Sequence, residues 1–368
     1  MSTRREAVDR IPTLDGFRAI SIGLVALYHL FRTRGFPSPP VLAPWMRWLG
    51  ELGVRVFFVI SGYLITGLLL RELRATGKIA IGRFYFRRAL RLFPAFYAFL
   101  LVVAVLEGAG VIALNPGDLR SAATYTMNYH ANPSWWLIHC WSLSVEEQFY
   151  LVWPATLALL GARRGLGVAA AFVVGGPAIR FATMHFFPAD LDTIHDTTFG
   201  TIGDTIALGC LLSGFRDQLG EHPLYRRYVG SAAALLGPAL IVAAYAADVR
   251  LWRVRMTVGP SALNLGIALC LDWCLRNPRG AVGRLLDARP LVAIGVGSYS
   301  IYLWQELFLN RVAGSPLQRF PLNLACAGAA AALSYFLVER PSLQLRALLE
   351  PRFFGRRAPA PVTAPPAS

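Results

Sequence analysis

Hydrophobic residues fall into ten long runs separated by polar stretches, at about 14–31, 53–70, 89–106, 144–161, 166–187, 198–215, 229–247, 257–275, 291–310 and 320–338. A hydrocarbon core of about 30 Å takes roughly 20 helical residues to cross, so each run is a candidate span. The pattern predicts an all-α integral membrane protein, a single bundle of about ten transmembrane helices. The fourth and sixth runs are the least apolar, because they carry Glu146, Glu147 and Asp204. The first run has the length of a secretory signal. No small-residue cleavage site follows His29, so it is expected as a retained helix.

Composition sharpens this picture. Of 368 residues, 55% are hydrophobic and 15% charged, against about 25% charged in soluble domains. A disordered chain, a collagen-like repeat and an ordinary soluble enzyme are excluded. The formal net charge of +15 would suggest nucleic acid in a soluble protein. Here the basic residues follow one membrane face without the interleaved aromatics that stack bases, so no nucleic-acid partner is expected. One set of connections collects Arg4, Arg5, Arg10, Arg71, Arg74, Lys78, Arg83, Arg87 and Arg88, then Arg163, Arg164, Arg216, Arg226, Arg227 and Arg276 to Arg289. The positive-inside rule places that side, with both termini, in the cytoplasm, and an even number of spans requires the same. Arg250 to Arg255 form the one dissenting cluster. The expected organisation is a cytoplasmic segment at 1–13, a membrane domain at 14–341 and a disordered Pro/Ala/Arg-rich cytoplasmic tail at 342–368. The expected location is the plasma (inner) membrane, as a multi-pass protein in contact with lipid. Cys140, Cys210, Cys270, Cys274 and Cys326 form no CxxC and read as buried, inert thiols.

Ionisable groups inside spans are costly, so each is a candidate site. Asp15 and Arg18 are three apart and share a helix face. Arg18 and His29 are eleven apart, which is three turns: they lie on one stripe, about 20° apart and roughly 16 Å along the axis. The plain alternative is an interfacial Asp–Arg pair with a histidine at the opposite boundary. Arg87, Arg88 and Arg91 open the third run; Arg88 and Arg91 share a face, and guanidinium forks suit phosphate. A purely topogenic cluster would look the same. In Trp141-Ser142-Leu143-Ser144-Val145-Glu146-Glu147, Ser144 and Glu147 have capping-box spacing. That leaves Glu146 as a carboxylate inside an apolar helix, able to pair with Arg or His. Ser61 and Gly62 read as close helix packing. Residues 298–306 are unusually polar for a ninth span, and Glu339-Arg340-Pro341 closes the tenth. His130, His139, His185 and His195 read as single loop histidines, because no metal-ligand spacing connects them.

Together and in this order, LDGFRAISIGLVALYH (14–29), FFVISGYLIT (57–66), FYFRRALRLFP (84–94), WSLSVEEQFYLVWP (141–154), SYSIYLW (298–304) and VERP (338–341) resemble the membrane acyltransferase family 3. Its members are O-acyltransferases of polysaccharides, peptidoglycan, lipopolysaccharide and macrolides. The resemblance implies transfer of an acyl group, typically acetyl from cytoplasmic acetyl-CoA, to a hydroxyl on the far side of the membrane. The acyl-CoA is then a donor substrate, and no permanently bound cofactor or metal is expected. By the same resemblance His29 is catalytic, with Asp15, Arg18, Glu146 and Glu339 as further functional residues. Arg88 and Arg91, with Arg87 beside them, would hold the CoA phosphates. His29 serves either as general base or as a covalent acyl carrier. Many members follow the SYSxYLW-like stretch with a histidine; here Gln305 stands there, so no acid–base role is assigned to it. Many also carry an esterase-like domain that these 368 residues do not include, and a separate acceptor-handling protein is an expected partner. The acceptor is expected to be a glycan, glycolipid or macrolide. A transporter or exporter of a modified glycan would also place charges inside spans, but the sequence has no clear inverted repeat and no paired broken helices.

Overall fold

In lipid every backbone polar group has to be satisfied within its own segment, which leaves an apolar run little choice but helix. The computed structural model, described for residues 11–187, 197–312 and 314–355, follows that rule. Among the described residues the only bridge is an isolated one between Arg34 and Arg319. The first three runs form α1 (Pro12–Phe31), α2 (Ala43–Thr76) and α3 (Ile81–Gly108). The fourth and fifth make up α4 (Cys140–Phe186), which breaks at Gly161, where φ is 71°; that left-handed conformation costs glycine little. The sixth is α5 (Phe199–Glu221). The seventh bends by 77° between α6 (Pro223–Val229) and the segment leading into α7 (Leu236–Arg250). α8 (Gly259–Arg276) is the eighth. The ninth is split at Gly297 into α9 (Arg289–Val296) and α10 (Ser298–Phe308). The tenth runs through α11 (Leu322–Ser334) and a π-helical turn (Tyr335–Glu339) into α12 (Arg340–Phe354).

Five helical stretches among the described residues are long and apolar enough to cross a membrane alone, or six with the bent pair counted as one. The remaining runs differ for visible reasons. Asp204 lowers the hydropathy of the unbroken α5, Asn264 and Asp272 that of the unbroken α8, and Gly297 divides the ninth run. The segment expected to be disordered from 342 onward is instead helical as far as Phe354. Glu350 pairs there with Arg83 at 3.1 Å and with Arg87, and Phe353 and Phe354 pack on Phe86. Apolar contact and ion pairing with α3 outweigh the low hydrophobicity of this stretch. Arg4, Arg5, Arg10, His195 and the tail beyond Gly355 lie outside the described residues.

Small residues set how closely the helices pack, as expected where lipid is the solvent. A methyl group at Gly62 would overlap the Ile206 carbonyl oxygen, and one at Gly209 would overlap that of Val59. α2 and α5 therefore cross with their backbones touching. The same holds for α1 and α9, where Gly295 lies against the Asp15 carbonyl.

The charges inside α5 and its neighbours are paired. Asp204 and Arg180, each about 1% exposed, meet at 2.9 Å, and Ser261 and Asn264 also bind Asp204. Arg55 joins Glu51 at 2.8 Å and reaches Thr205 and Asn264 at 3.3 Å. Asp204→Ala would remove a carboxylate held 2.9 Å from the Arg180 guanidinium inside the bundle, and breaking such a buried pair is expected to cost roughly 3–5 kcal/mol. The thermal midpoint of the detergent-purified variant measures this; an unchanged midpoint would mean that the pair adds nothing to stability.

Candidate active site

Two clusters of polar side chains lie within the bundle. The first is built on His29 of α1, Glu306 of α10 and His139, which occupies the turn between the short helix Trp135–Ile138 and α4. His29 Nε2 approaches Glu306 Oε1 at 3.3 Å, and His139 Nδ1 approaches Glu306 Oε2 at 3.0 Å. All three are buried, Glu306 to 1% exposure. Aromatic rings enclose them: Tyr28 and Trp135 stand edge-on to His29 at 4.9 and 5.6 Å, and Phe99 and Tyr302 to His139 at 5.5 and 5.6 Å. Arg32 lies over the rings of Tyr28 and Trp135. His29 Nδ1 has no hydrogen-bond partner.

Sequence reasoning assigned no role to Glu306 or His139. Its reading of His139 as a surface loop residue is corrected: the side chain is buried and faces a carboxylate. The available signals were weak. Glu306 ends the unusually polar stretch of the ninth run, and His139 stands two residues before Trp141-Ser142-Leu143-Ser144. Gln305, in the place where many family members have histidine, is 1% exposed and neither of its amide atoms has a partner. The charge sits one residue further on. His130 pairs instead with Asp118 at 3.0 Å. Among the described residues no group of three His, Cys, Asp or Glu side chains is arranged to hold a metal ion.

The second cluster gathers most of the other expected residues. Arg18 pairs with Asp15 at 3.5 Å. Arg88 lies 3.7 Å above the Tyr150 ring, a cation–π contact, and its Nε is buried without a partner. Glu146 accepts a hydrogen bond from Ser61, whose Oγ in turn receives one from the Tyr150 hydroxyl at 3.1 Å. Glu339, the buried last residue of the π turn, accepts from Ser300 at 2.9 Å. Arg91 interacts with Arg18, Arg88 and Glu339, and Glu146 with Arg88 and Arg18. The structure thus brings Arg18, Arg88, Arg91, Glu146 and Glu339 together. Arg87 is not among them, because Glu350 of α12 engages it.

The two clusters are joined by the helices that build them. α1 carries Arg18 and His29, roughly 16 Å apart; α10 carries Ser300 and Glu306, roughly 9 Å apart. α3 carries Arg91 and, eight residues on, Phe99 beside His139. α4 starts at His139 and reaches Glu146 two turns later. Arginines and carboxylates at one end, and an imidazole–carboxylate pair at the other, are thereby held on rigid elements.

A family model described as an acyltransferase domain, Acyl_transf_3, matches residues 11–338. The chain belongs to this acyltransferase family. The match covers the first cluster and all of the second except Glu339, and with the apolar helices it makes this acyltransferase a multi-pass membrane protein. The acyltransferase is 28% identical over 368 residues to the O-acetyltransferase OatA of Staphylococcus aureus strain NCTC 8325, covering 90% of this chain and 57% of that protein. OatA of strain COL matches to the same extent. SACOL0978, a candidate O-acetyltransferase of strain COL, is 28% identical over 375 residues, covering 92% of this chain and 58% of its own length. The acyltransferase therefore spans less than two thirds of the length of these curated relatives. No solved structure matches it.

Proposed function

We propose that the chain is a membrane O-acyltransferase that takes an acetyl group from cytoplasmic acetyl-CoA and delivers it to a hydroxyl of a glycan, glycolipid or macrolide beyond the plasma membrane. The observation that carries this reading is the double contribution of α1: Arg18 belongs to the arginine–carboxylate cluster and His29 to the imidazole–carboxylate cluster. A donor whose phosphates rest against Arg88 and Arg91 extends its pantetheine arm past Arg18 and brings the thioester to His29. The neutral imidazole takes the acceptor's O–H proton while that oxygen forms a bond to the thioester carbonyl carbon. The carbon–sulfur bond then breaks, and the imidazolium returns the proton to the CoA sulfur. Glu306 holds the His29 ring during both steps. The O-acetyltransferase names of the relatives support acetyl as the group and oxygen as its destination.

Acceptor identity is tested by mass spectrometry of surface glycans and secreted metabolites with and without the protein. An acetyl group that disappears with the protein, and fails to return with His29→Ala, supports the reading; identical spectra remove it. For orientation, the Lys/Arg asymmetry puts the connection at Gly77 in the cytoplasm and that at Gly110 outside, and both positions are exposed. Reporter fusions at the two sites should therefore report opposite sides. The same side for both would overturn the ten-span arrangement with cytoplasmic termini.

A further inference from the structure

Arg88 differs from the arginines around it in what holds it. Arg18 is paired with Asp15 and Arg87 with Glu350, whereas Arg88, among the described residues, makes no ion pair or hydrogen bond. Glu146 and Glu147 act on it only through space. Its contact is with an aromatic ring: Cζ lies 3.7 Å above the centroid of Tyr150, close enough for the planar group to stack on the ring. A stacked guanidinium keeps its N–H donors at its rim, where they remain available to a bidentate acceptor such as phosphate.

The ring is itself held. Tyr150 is buried in a core that includes Phe58, Phe149 and Trp153. Its hydroxyl donates to Ser61 Oγ at 3.1 Å, and Ser61 donates in turn to Glu146. Glu146 and Tyr150 are four apart on α4 and share a face, so one hydroxyl of α2 binds two successive turns of α4. Ser61 has little room to shift, because Gly62 beside it brings α2 against the Ile206 carbonyl of α5. The contacts Ser61–Tyr150–Arg88 thus tie a guanidinium of α3 to the packing of α2 on α5.

We infer that Tyr150 is a positioning residue for the acyl donor: its ring is the platform that presents the Arg88 fork to a phosphate, and its hydroxyl, through Ser61, keeps that platform in place. The inference rests on the reading of Arg88 as a ligand of the donor phosphates. In this arrangement Tyr150 touches no part of the donor; it acts through Arg88.

The test measures kcat and the KM for acetyl-CoA of the detergent-purified protein for Tyr150→Leu and Tyr150→Phe, each made in the parent and in Arg88→Ala. Tyr150→Leu removes the platform and should raise KM about tenfold, within the range of a desolvated cation–π contact, with kcat within about twofold. Tyr150→Phe keeps the ring face and loses only the tie to Ser61, so its KM should rise no more than about threefold. In the Arg88→Ala background Tyr150→Leu should add less than about twofold, because the group it presents is gone. A merely structural role would give the same factor in both backgrounds and would not be rescued by phenylalanine. An unchanged KM in Tyr150→Leu, or an equal rise in both backgrounds, would overturn the positioning role. If Tyr150→Leu fails to fold, as judged by loss of a single gel-filtration peak, Tyr150→Met is read in its place against the same outcomes. Arg88→Ala alone checks the underlying reading. A parental KM there removes Arg88 from the donor site and this inference with it, whereas a raised KM with independent Tyr150 effects removes only the role of Tyr150.

Discussion

Replacing His29 with alanine should lower acyl transfer at saturating donor by about 10²–10⁴-fold, or roughly 3–5 kcal/mol of transition-state stabilisation. No second imidazole can take over, because His139 stands on the other side of the Glu306 carboxylate. Folding and acetyl-CoA binding should survive, since the donor's phosphates meet Arg88 and Arg91 and not this ring. Asp15 and Arg18 should behave differently. Their ion pair orients the cytoplasmic end of α1, so their loss should raise the apparent KM or lower the yield at least as much as it lowers kcat. The decisive measurement is the transfer rate of the three single variants at saturating acetyl-CoA. A folded His29→Ala protein that still transfers at the parental rate would leave transport of a modified glycan as the leading account of the charges inside the bundle.

The second large effect is expected at the donor end. Loss of both Arg88 and Arg91 should raise the KM for acetyl-CoA by 10²-fold or more, at roughly 1.5–3 kcal/mol for each charged hydrogen bond removed. The parent's affinity should fall as salt is added, and the double variant's should do so less steeply. Lysine should restore part of the loss, because it supplies charge without the planar fork. Arg87→Ala is the internal comparison. Glu350 already engages Arg87, so its removal should loosen α12 and leave the KM unchanged. An unchanged KM in the Arg88/Arg91 double variant would reduce the pair to markers of topology.

The helical architecture and one half of the site could be read from the chain because both rest on local spacing. Arg18 and His29 fall on one stripe by helix geometry alone, and Arg88 and Arg91 on one face. Glu339 and Glu146 were noticeable as carboxylates in apolar surroundings. What spacing does not carry is the meeting of distant segments. Glu306 and His139 are 167 residues apart in sequence, and nothing periodic links them, so each taken singly looked like a polar end or a loop residue. Arg87 shows the converse: adjacent to Arg88 in sequence, it is drawn away by a helix that the polar composition beyond residue 341 did not announce. The interruption of the ninth run at Gly297 was equally hidden, although it is what separates α9, packed on Asp15, from α10, which presents Glu306.

The π turn at Tyr335–Glu339 bears on how this protein tolerates changes in length. A π turn holds one residue more than an α turn spanning the same rise. Deleting a single residue between Tyr335 and Val338 would let the segment relax to α geometry with Glu339 near its present angle about the axis, whereas deleting one residue within α11 would swing it by about 100°, away from Ser300 and the arginines. A deletion that removes no functional side chain would thus behave like loss of the carboxylate itself. A one-residue insertion in the exposed connection near Gly110 should pass unnoticed. For anyone grafting or shortening this bundle, the residue count of α11 is as much a part of the site as the identity of Glu339, and the π turn is where one residue can be spared.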